Sequence, residues 1–435
     1  MSSGRDSQEI SRARLIGVMT LLLAVNIFNF VDRQIPYILA ESIKRDLSLS
    51  DTQFGVLGGL AFAAVYATLG LPLARLGERV GRKWVLSGSL MVWSGLTALG
   101  GFSQSFLQLL VTRLGVAAGE AGATPVAHSL ISSYFPERRR GFALAIFALG
   151  VPLGTMFGLV AGGWINEHWT WREAMIAVGV PGMLLSIITM LVLREPPTAA
   201  AAQASDMTMS EAMRFLMKRR SFRHMAAGIA VYSMGANAMI VFTPAFLMRT
   251  YDLSSQSTGL LLGLLYGVAG VGGTLIGGWA GDRFGGGNAR WRLWIPAIAM
   301  LGAIPFTLGA LFAPSGGLSV LLMSGIKFAN LVYAGPVFVA LHSLVPARSR
   351  ATASAFLLFF NSLIGLSLGP LVTGWLSDTL QPQFGDLSLR YALCFVVVTQ
   401  IWAAYHFWAS SRDIERDAYR DAAAPPGTAI PATTN

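Results

Sequence analysis

Ala74-Arg75-Leu76-Gly77-Glu78-Arg79-Val80-Gly81 closes one long apolar run, and Gly278-Trp279-Ala280-Gly281-Asp282-Arg283-Phe284-Gly285 closes another 204 residues later. Both read small-x-x-Gly-acid-Arg-x-Gly. Phe135-Pro136-Glu137-Arg138-Arg139-Arg140-Gly141 returns as Val345-Pro346-Ala347-Arg348-Ser349-Arg350-Ala351 at an offset of 210, and Gly150 and Gly154 return as Gly365 and Gly369 at 215. These nearly constant offsets carry each motif to the equivalent place in a second unit of the same topology. A chain of two such repeats is expected to hold its site between them, near the midplane of a bilayer.

The composition agrees. Of 435 residues, 54% are hydrophobic and 12% charged, with 48 glycines, whereas a soluble protein carries about 25% charged residues. Apolar runs near the ~20 residues that cross a bilayer recur along nearly the whole length. Twelve spans are expected, at 14–40, 51–76, 82–104, 106–134, 141–166, 172–194, 222–249, 254–281, 291–313, 317–345, 351–377 and 388–411. They must be helical, because lipid leaves no other partner for the backbone. The first is read as a retained helix, since no small-residue cleavage pattern follows it. The expected organisation is a six-helix bundle over 1–194, a linker over 195–221 with a surface helix around Ser210–Met217, a second bundle over 222–411, and a disordered tail over 412–435.

The net charge of +10 is topological rather than a signature of nucleic-acid binding. With the N-terminus in the cytoplasm, the loops and tails on that side hold 24 Lys and Arg, the opposite face five and the membrane three. This positive-inside bias places both termini in the cytoplasm, of a bacterial inner membrane. The single cysteine, Cys394, excludes an internal disulfide and is read as packed or lipid-facing. No metal, no cofactor and no catalytic constellation is expected, and the expected state is a monomer in the lipid bilayer.

Five charges interrupt the apolar runs: Asp32, Arg33, Arg113, Glu120 and Lys327. Each costs roughly 3 kcal/mol at a helix centre on insertion scales, so such residues usually face an internal cavity. Asn26, Asn29, Asp32 and Arg33 share one face of span one, and Arg113 and Glu120 share one face of span four. Helical rise puts Arg33 and Arg113 at similar depth, with Glu120 about 10 Å further in. A layered acid–base cluster is therefore expected, Asp32 and Glu120 compensating Arg33 and Arg113. A carboxylate taken out of water accepts a proton more readily, and a nearby guanidinium resists that uptake. An anion that engages the guanidinium lifts the resistance, so proton and anion bias one equilibrium. Asp32 and Glu120 are thus the proton-coupling candidates, and Arg33, Arg113, Asn29 and Lys327 the substrate-binding ones. The competing reading is a structural charge network. For Lys327 the alternative to the cavity is snorkelling to the surface. The loop Gly77, Glu78, Arg79, Gly81 and Arg82, with its counterpart Asp282 and Arg283, is read as a conformational latch, its acid pairing with a neighbouring helix end. Gly150, Gly154, Gly158 and Gly162 offer a smooth face for close helix packing.

The 74–81 signature resembles the loop between helices two and three of the major facilitator superfamily, with Glu78 where an Asp is usual and Ala74 as a second departure. Asn29-Phe30-Val31-Asp32-Arg33, the Thr112-Arg113 to Gly119-Glu120-Ala121 segment, Trp171-Arg172 with Val178-Gly179-Val180-Pro181-Gly182, and Ser354-Ala355-Phe356-Leu357-Leu358-Phe359 are similar to the spinster-type lipid transporters. The resemblance covers nearly the whole chain outside linker and tail. It implies a fold of twelve helices in two bundles and alternating access. It also implies that Asp32, Arg33 and Glu120 belong to the proton and headgroup site, and that the substrate is an anionic amphipath such as a lysophospholipid or a sphingosine phosphate. A proton symporter of a small organic anion or sugar acid is the alternative, since such proteins carry a similar Asp-Arg pair.

Overall fold

In the computed structural model, residues 11–195, 209–266, 268, 289–346 and 349–419 are described. Helix meets each of the twelve expected spans. Spans one to six are Arg12–Ile38, Asp51–Gly55 continuing through Val56–Leu60 and Ala61–Val80, Arg82–Gly100, Phe106–Ala121 with Ala123–Tyr134, Glu137–Ala148 with Gly150–His168, and Trp171–Val192. Span seven is Arg220–Tyr251, span eight is described over 255–266, and span nine is Trp291–Leu311. Span ten is Gly316–Val332 with Ala334–His342, span eleven runs from Arg350 to Phe384, and span twelve is Ser388–Leu393 with Phe395–Asp417. Met209–Met217 forms the short linker helix. Seven described stretches are long and apolar enough to cross a membrane by length and composition alone, one of them running through spans eleven and twelve together. Breaks at Gly122 and Tyr333 divide spans four and ten.

The repeat is visible in the capping. Ser105 accepts from the Gln108 amide at the start of span four, and Ser315 does the same for Leu318 at the start of span ten. Each hydroxyl satisfies one of the amides a helix start leaves orphaned.

Among the described residues, three apolar clusters build the core. One lies within the N-terminal half around Leu22, Leu86, Trp93 and Leu130, and one within the C-terminal half around Phe222, Leu341 and Phe407. The third takes Ile35, Phe54 and Leu57 from the first half and Phe242, Phe246 and Met323 from the second. This shared cluster lies at the end of the bundle away from the chain termini, hereafter the distal end. The halves are thus sealed together distally, while the proximal ends pack largely within their own halves.

Backbone contact makes the distal seal close. A side chain on Gly55 of span two would meet the Pro370 carbonyl oxygen of span eleven at 2.5 Å. Gly259 in span eight lies directly against the Leu159 carbonyl of span five, and Gly163 against Ser255. Spans two and eleven each carry a widened π-helical stretch here, Val56–Leu60 and Asn361–Leu366, of the sort that often accompanies functional sites.

The glycine face of span five packs closely against a neighbour, as its spacing predicts, and that neighbour is span one. Cβ atoms on Gly150, Gly154 and Gly158 would strike Asn26, the Ile27 carbonyl and Val31. Gly154→Val is expected to destabilise the protein by about 1–3 kcal/mol through overpacking. Thermal unfolding in detergent measures the loss, and an unchanged midpoint would contradict this packing.

Candidate functional site

The charges of spans one and four do meet. Arg33 Nε donates to Glu120 Oε2 at 2.5 Å, joining the two helices. Glu120 is completely buried, and Arg33 retains one-fifth of its side-chain exposure. The Arg33 guanidinium also sits 5.1 Å from the Phe30 and Phe62 ring centroids and 4.7 Å from that of Tyr66. Cations over aromatic faces gain about 0.5–2 kcal/mol when partly desolvated. Phe62 and Tyr66 on span two thus complete the arginine's surroundings. Their one-turn spacing was the only sequence signal, and packing explains such spacing equally well.

Asp32 and Arg113 are arranged differently from the expected pairing. Arg113 donates to the Asp32 backbone carbonyl at 3.5 Å rather than to its carboxylate. The Asp32 side chain is fully buried, and neither of its oxygens has a hydrogen-bond partner among the described residues. Its polar neighbours are Thr97 and Trp93 on span three and Glu120 and Arg113 on span four. Adjacent residues on a helix point in different directions, which explains the separation: Arg33 reaches span four while Asp32 turns to span three. The Asn29 amide, buried beside Glu120, likewise has no partner among the described residues. The arrangement holds one paired carboxylate and one unpaired carboxyl side by side in a low-dielectric wall.

Lys327 belongs to the opposite half. Its ammonium lies 5.6 Å from the Tyr266 ring centroid, with no carboxylate at ion-pair distance among the described residues. It borders a cavity of about 60 Å³ with Tyr232 and Met239. A second, smaller cavity adds Gln34 and Thr155 from the N-terminal half. Lys327 therefore sits at the seam between halves, beside the residue that follows Arg33. Tyr232 and Tyr333 pack with centroids 4.5 Å apart. Asn361 accepts from Ser233, and Asn237 donates to the Ser233 carbonyl at 2.8 Å. These asparagines make interhelical and intrahelical bonds, as expected for satisfied polar groups in a helix bundle.

The latch loop takes an acid from outside its own sequence. Gly81, at φ +112°, makes the turn between spans two and three. Arg82 Nε donates to Glu195 Oε1 at 2.8 Å, and its guanidinium reaches the Ser129 and Ser133 hydroxyls on span four. The Lys83 amide donates to Glu195 Oε2 at 2.9 Å. Glu78 and Arg79 are exposed, and Gly77 packs against Val126. The loop thus clamps spans three, four and six within one half. Asp282 and Arg283 lie outside the described residues. Burial pushes the Glu195 carboxyl up, but the Lys83 amide and the Arg82 guanidinium outweigh it and hold the group below its ordinary value of 4.5. A depressed carboxyl stabilises the fold above its unfolded-state pKa, and that stability is lost as pH falls through the folded-state value. Glu195→Gln should therefore lower the thermal midpoint at pH 7, with the gap to wild type closing below about pH 4.5. A gap that widened in acid would contradict this pairing.

The densest charge network was not read from the sequence. It lies at the distal end and bridges the halves. Arg249 of span seven donates to Asp51 of span two at 2.6 and 2.8 Å and to Glu41 at 2.7 Å. Lys44 also pairs with Asp51, and Ser377 donates to it at 2.7 Å. Asp378 of span eleven accepts from the Asp51 and Thr52 amides at 2.9 and 2.8 Å, so one half caps the first turn of a helix in the other.

Two bundles of long apolar helices, sealed together distally and carrying a buried ionisable cluster, define a membrane transporter. The chain belongs to the Major Facilitator Superfamily, whose family profile matches residues 22–370. It is similar to an MFS-type efflux pump of Mycolicibacterium smegmatis, 37% identical over 94% of each chain. It is also similar to the sphingosine-1-phosphate transporter SPNS2 of Danio rerio, 26% identical over 93% of this chain and 86% of that one. A crystal structure of a bacterial homologue of the human lysosomal transporter spinster, inward-facing and unoccupied, superposes with a TM-score of 0.86. That match is 28% identical and covers 95% of this chain and 100% of the other. The resemblance to the spinster-type branch is borne out, and the chain is a transporter of that type.

Proposed function

We propose that the protein is a proton-coupled transporter of an anionic amphipath, lysophospholipid-like or sphingosine-phosphate-like, working by alternating access across the bacterial inner membrane with both termini cytoplasmic. The observation that carries this reading is the Arg33–Glu120 pair at 2.5 Å, set beside Asp32 with both oxygens unpartnered. An anionic headgroup that engages Arg33 competes with Glu120, which frees that carboxylate to take a proton. Asp32 accepts a proton without breaking an ion pair. Arg113 and Asn29 line the same wall, and Lys327 offers a second cationic contact from the facing half. The two cations favour an anion held across the seam. The flanking Phe30, Phe62, Met239 and Ile240 suit a tail rather than a second polar group. In this reading the distal end faces the periplasm, the distal network is the closed periplasmic gate, and the clamp at Arg82 keeps the N-terminal half rigid while it rocks.

The test is uptake into liposomes under an imposed proton gradient, comparing a lysophospholipid with a sugar acid. Gradient-dependent movement of the lysophospholipid alone supports the proposal. Movement of the sugar acid alone favours the small-anion alternative.

A further inference from the structure

A second feature lies on the outer wall of the N-terminal half, away from the charge cluster. An apolar groove of about 400 Å³ runs between spans two, three and four. Leu69, Leu73, Val92 and Gly119 form its walls, Gly88 opens its floor, and half-exposed Trp84 stands at its proximal mouth. A Cβ on Gly88 would meet nothing within 4 Å, so the groove is open there. From Trp84 to Val92 it covers eight residues of helix, about 12 Å of bilayer depth.

The mouth is cationic. Lys83 Nζ lies 5.4 Å from the Trp84 ring centroid, and exposed Arg75 and Arg79 occupy the last turns of span two. Arg82 is taken up by Glu195, and Glu78 in the same stretch is exposed like Arg75 and Arg79. A groove walled by apolar side chains, with a tryptophan and net positive charge at interfacial depth, matches one chemistry: an acyl chain below a phosphate.

We propose that this groove is a binding site for an anionic phospholipid of the leaflet on the termini side. Its acyl chain lies along span three over Gly88, and its phosphate rests against Lys83. The site is separate from the transport site. Glu120 is fully buried inside the bundle, and at Gly119 the wall is closed by direct packing on Trp93. A lipid seated here touches spans two and three on both sides of the Gly81 turn, so it braces the loop that the Arg82–Glu195 pair clamps from the other side. The proposal does not depend on which substrate is carried.

The experiment uses the full chain in phosphatidylcholine liposomes containing either brominated phosphatidylglycerol or brominated phosphatidylcholine. The quenched signal of Trp84 is taken as the difference between wild type and Trp84→Phe. Wild type should show an apparent preference for the anionic lipid of about fivefold per engaged cation. Gly88→Phe and Lys83→Gln should each bring the preference close to one. Gly302→Phe, in the other half, also points its Cβ into open space and should change nothing, which controls for the added ring. Equal quenching by the two lipids in wild type would overturn the proposal, as would a preference that survives Gly88→Phe. Displacement of the brominated lipid by a transported lysophospholipid would overturn it too, marking the groove as a substrate path.

Discussion

Arg249→Gln should release the distal seal, shifting the protein toward a distally open state by about thirtyfold in population. Arg249 bonds Asp51 and Glu41 across the halves. Removing one partner of a buried ion network leaves the other charge uncompensated, at a cost of 3–5 kcal/mol. Lys44 remains on Asp51 and recovers part of that, so about 2 kcal/mol is the expected net loss, near thirtyfold at 1.4 kcal/mol per factor of ten. The loss falls only on the closed state, because the open state has no such contact to lose. Spin labels at Gln104→Cys and Gln383→Cys, both exposed at the distal end, read the separation in a Cys394→Ala background. A distance distribution unchanged by Arg249→Gln would remove the network from gating and leave the apolar cluster as the seal. Asp51→Asn should act in the same direction but less strongly, since the amide still accepts from Ser377.

The second large effect concerns coupling. Glu120→Gln keeps the shape of the side chain and its bond to Arg33 but cannot take up a proton. A single coupled proton supports about tenfold substrate accumulation per pH unit of gradient. In Glu120→Gln vesicles that accumulation should fall to simple equilibration, while exchange without a gradient persists. Asp32→Asn separates the two carboxyls. If Asp32 carries the proton, this variant alone flattens the pH profile and Glu120→Gln mainly alters apparent substrate affinity. Accumulation at the wild-type level in both variants would end the coupling proposal.

Much of this architecture could be read in the amino-acid pattern. The offsets between the 74–81 and 278–285 signatures reported an internal repeat, and apolar periodicity located the spans, because the bilayer imposes one length and one backbone solution. The glycine spacing of span five foretold a close helix contact, since a missing side chain has few other uses there, but not that span one would make it. That the charges of spans one and four meet was legible because buried charge is so costly that partners must exist, but the pairing of Arg33 with Glu120 was not. What depended on the relation between halves was not legible. Asp51, Lys44 and Arg249 looked like ordinary flanking charges at span ends, and no local pattern says which ends meet. Glu195 followed the same logic: it sits 113 residues from Arg82 in sequence, and only the closing of the helix bundle brings it to the loop. The direction in which adjacent Asp32 and Arg33 each turn required the positions of spans three and four.

The contact of Gly259 with the Leu159 carbonyl has a practical consequence. Where two surfaces meet through bare main chain, there are no side chains to rotate aside, so the distal mouth is expected to open by one bundle rolling over the other as a rigid body. A single methyl group at Gly259 would then act as a doorstop. Such a variant could trap the molecule ajar, with the transport residues themselves untouched, and so offer a handle for capturing the half of the cycle that this closed form conceals.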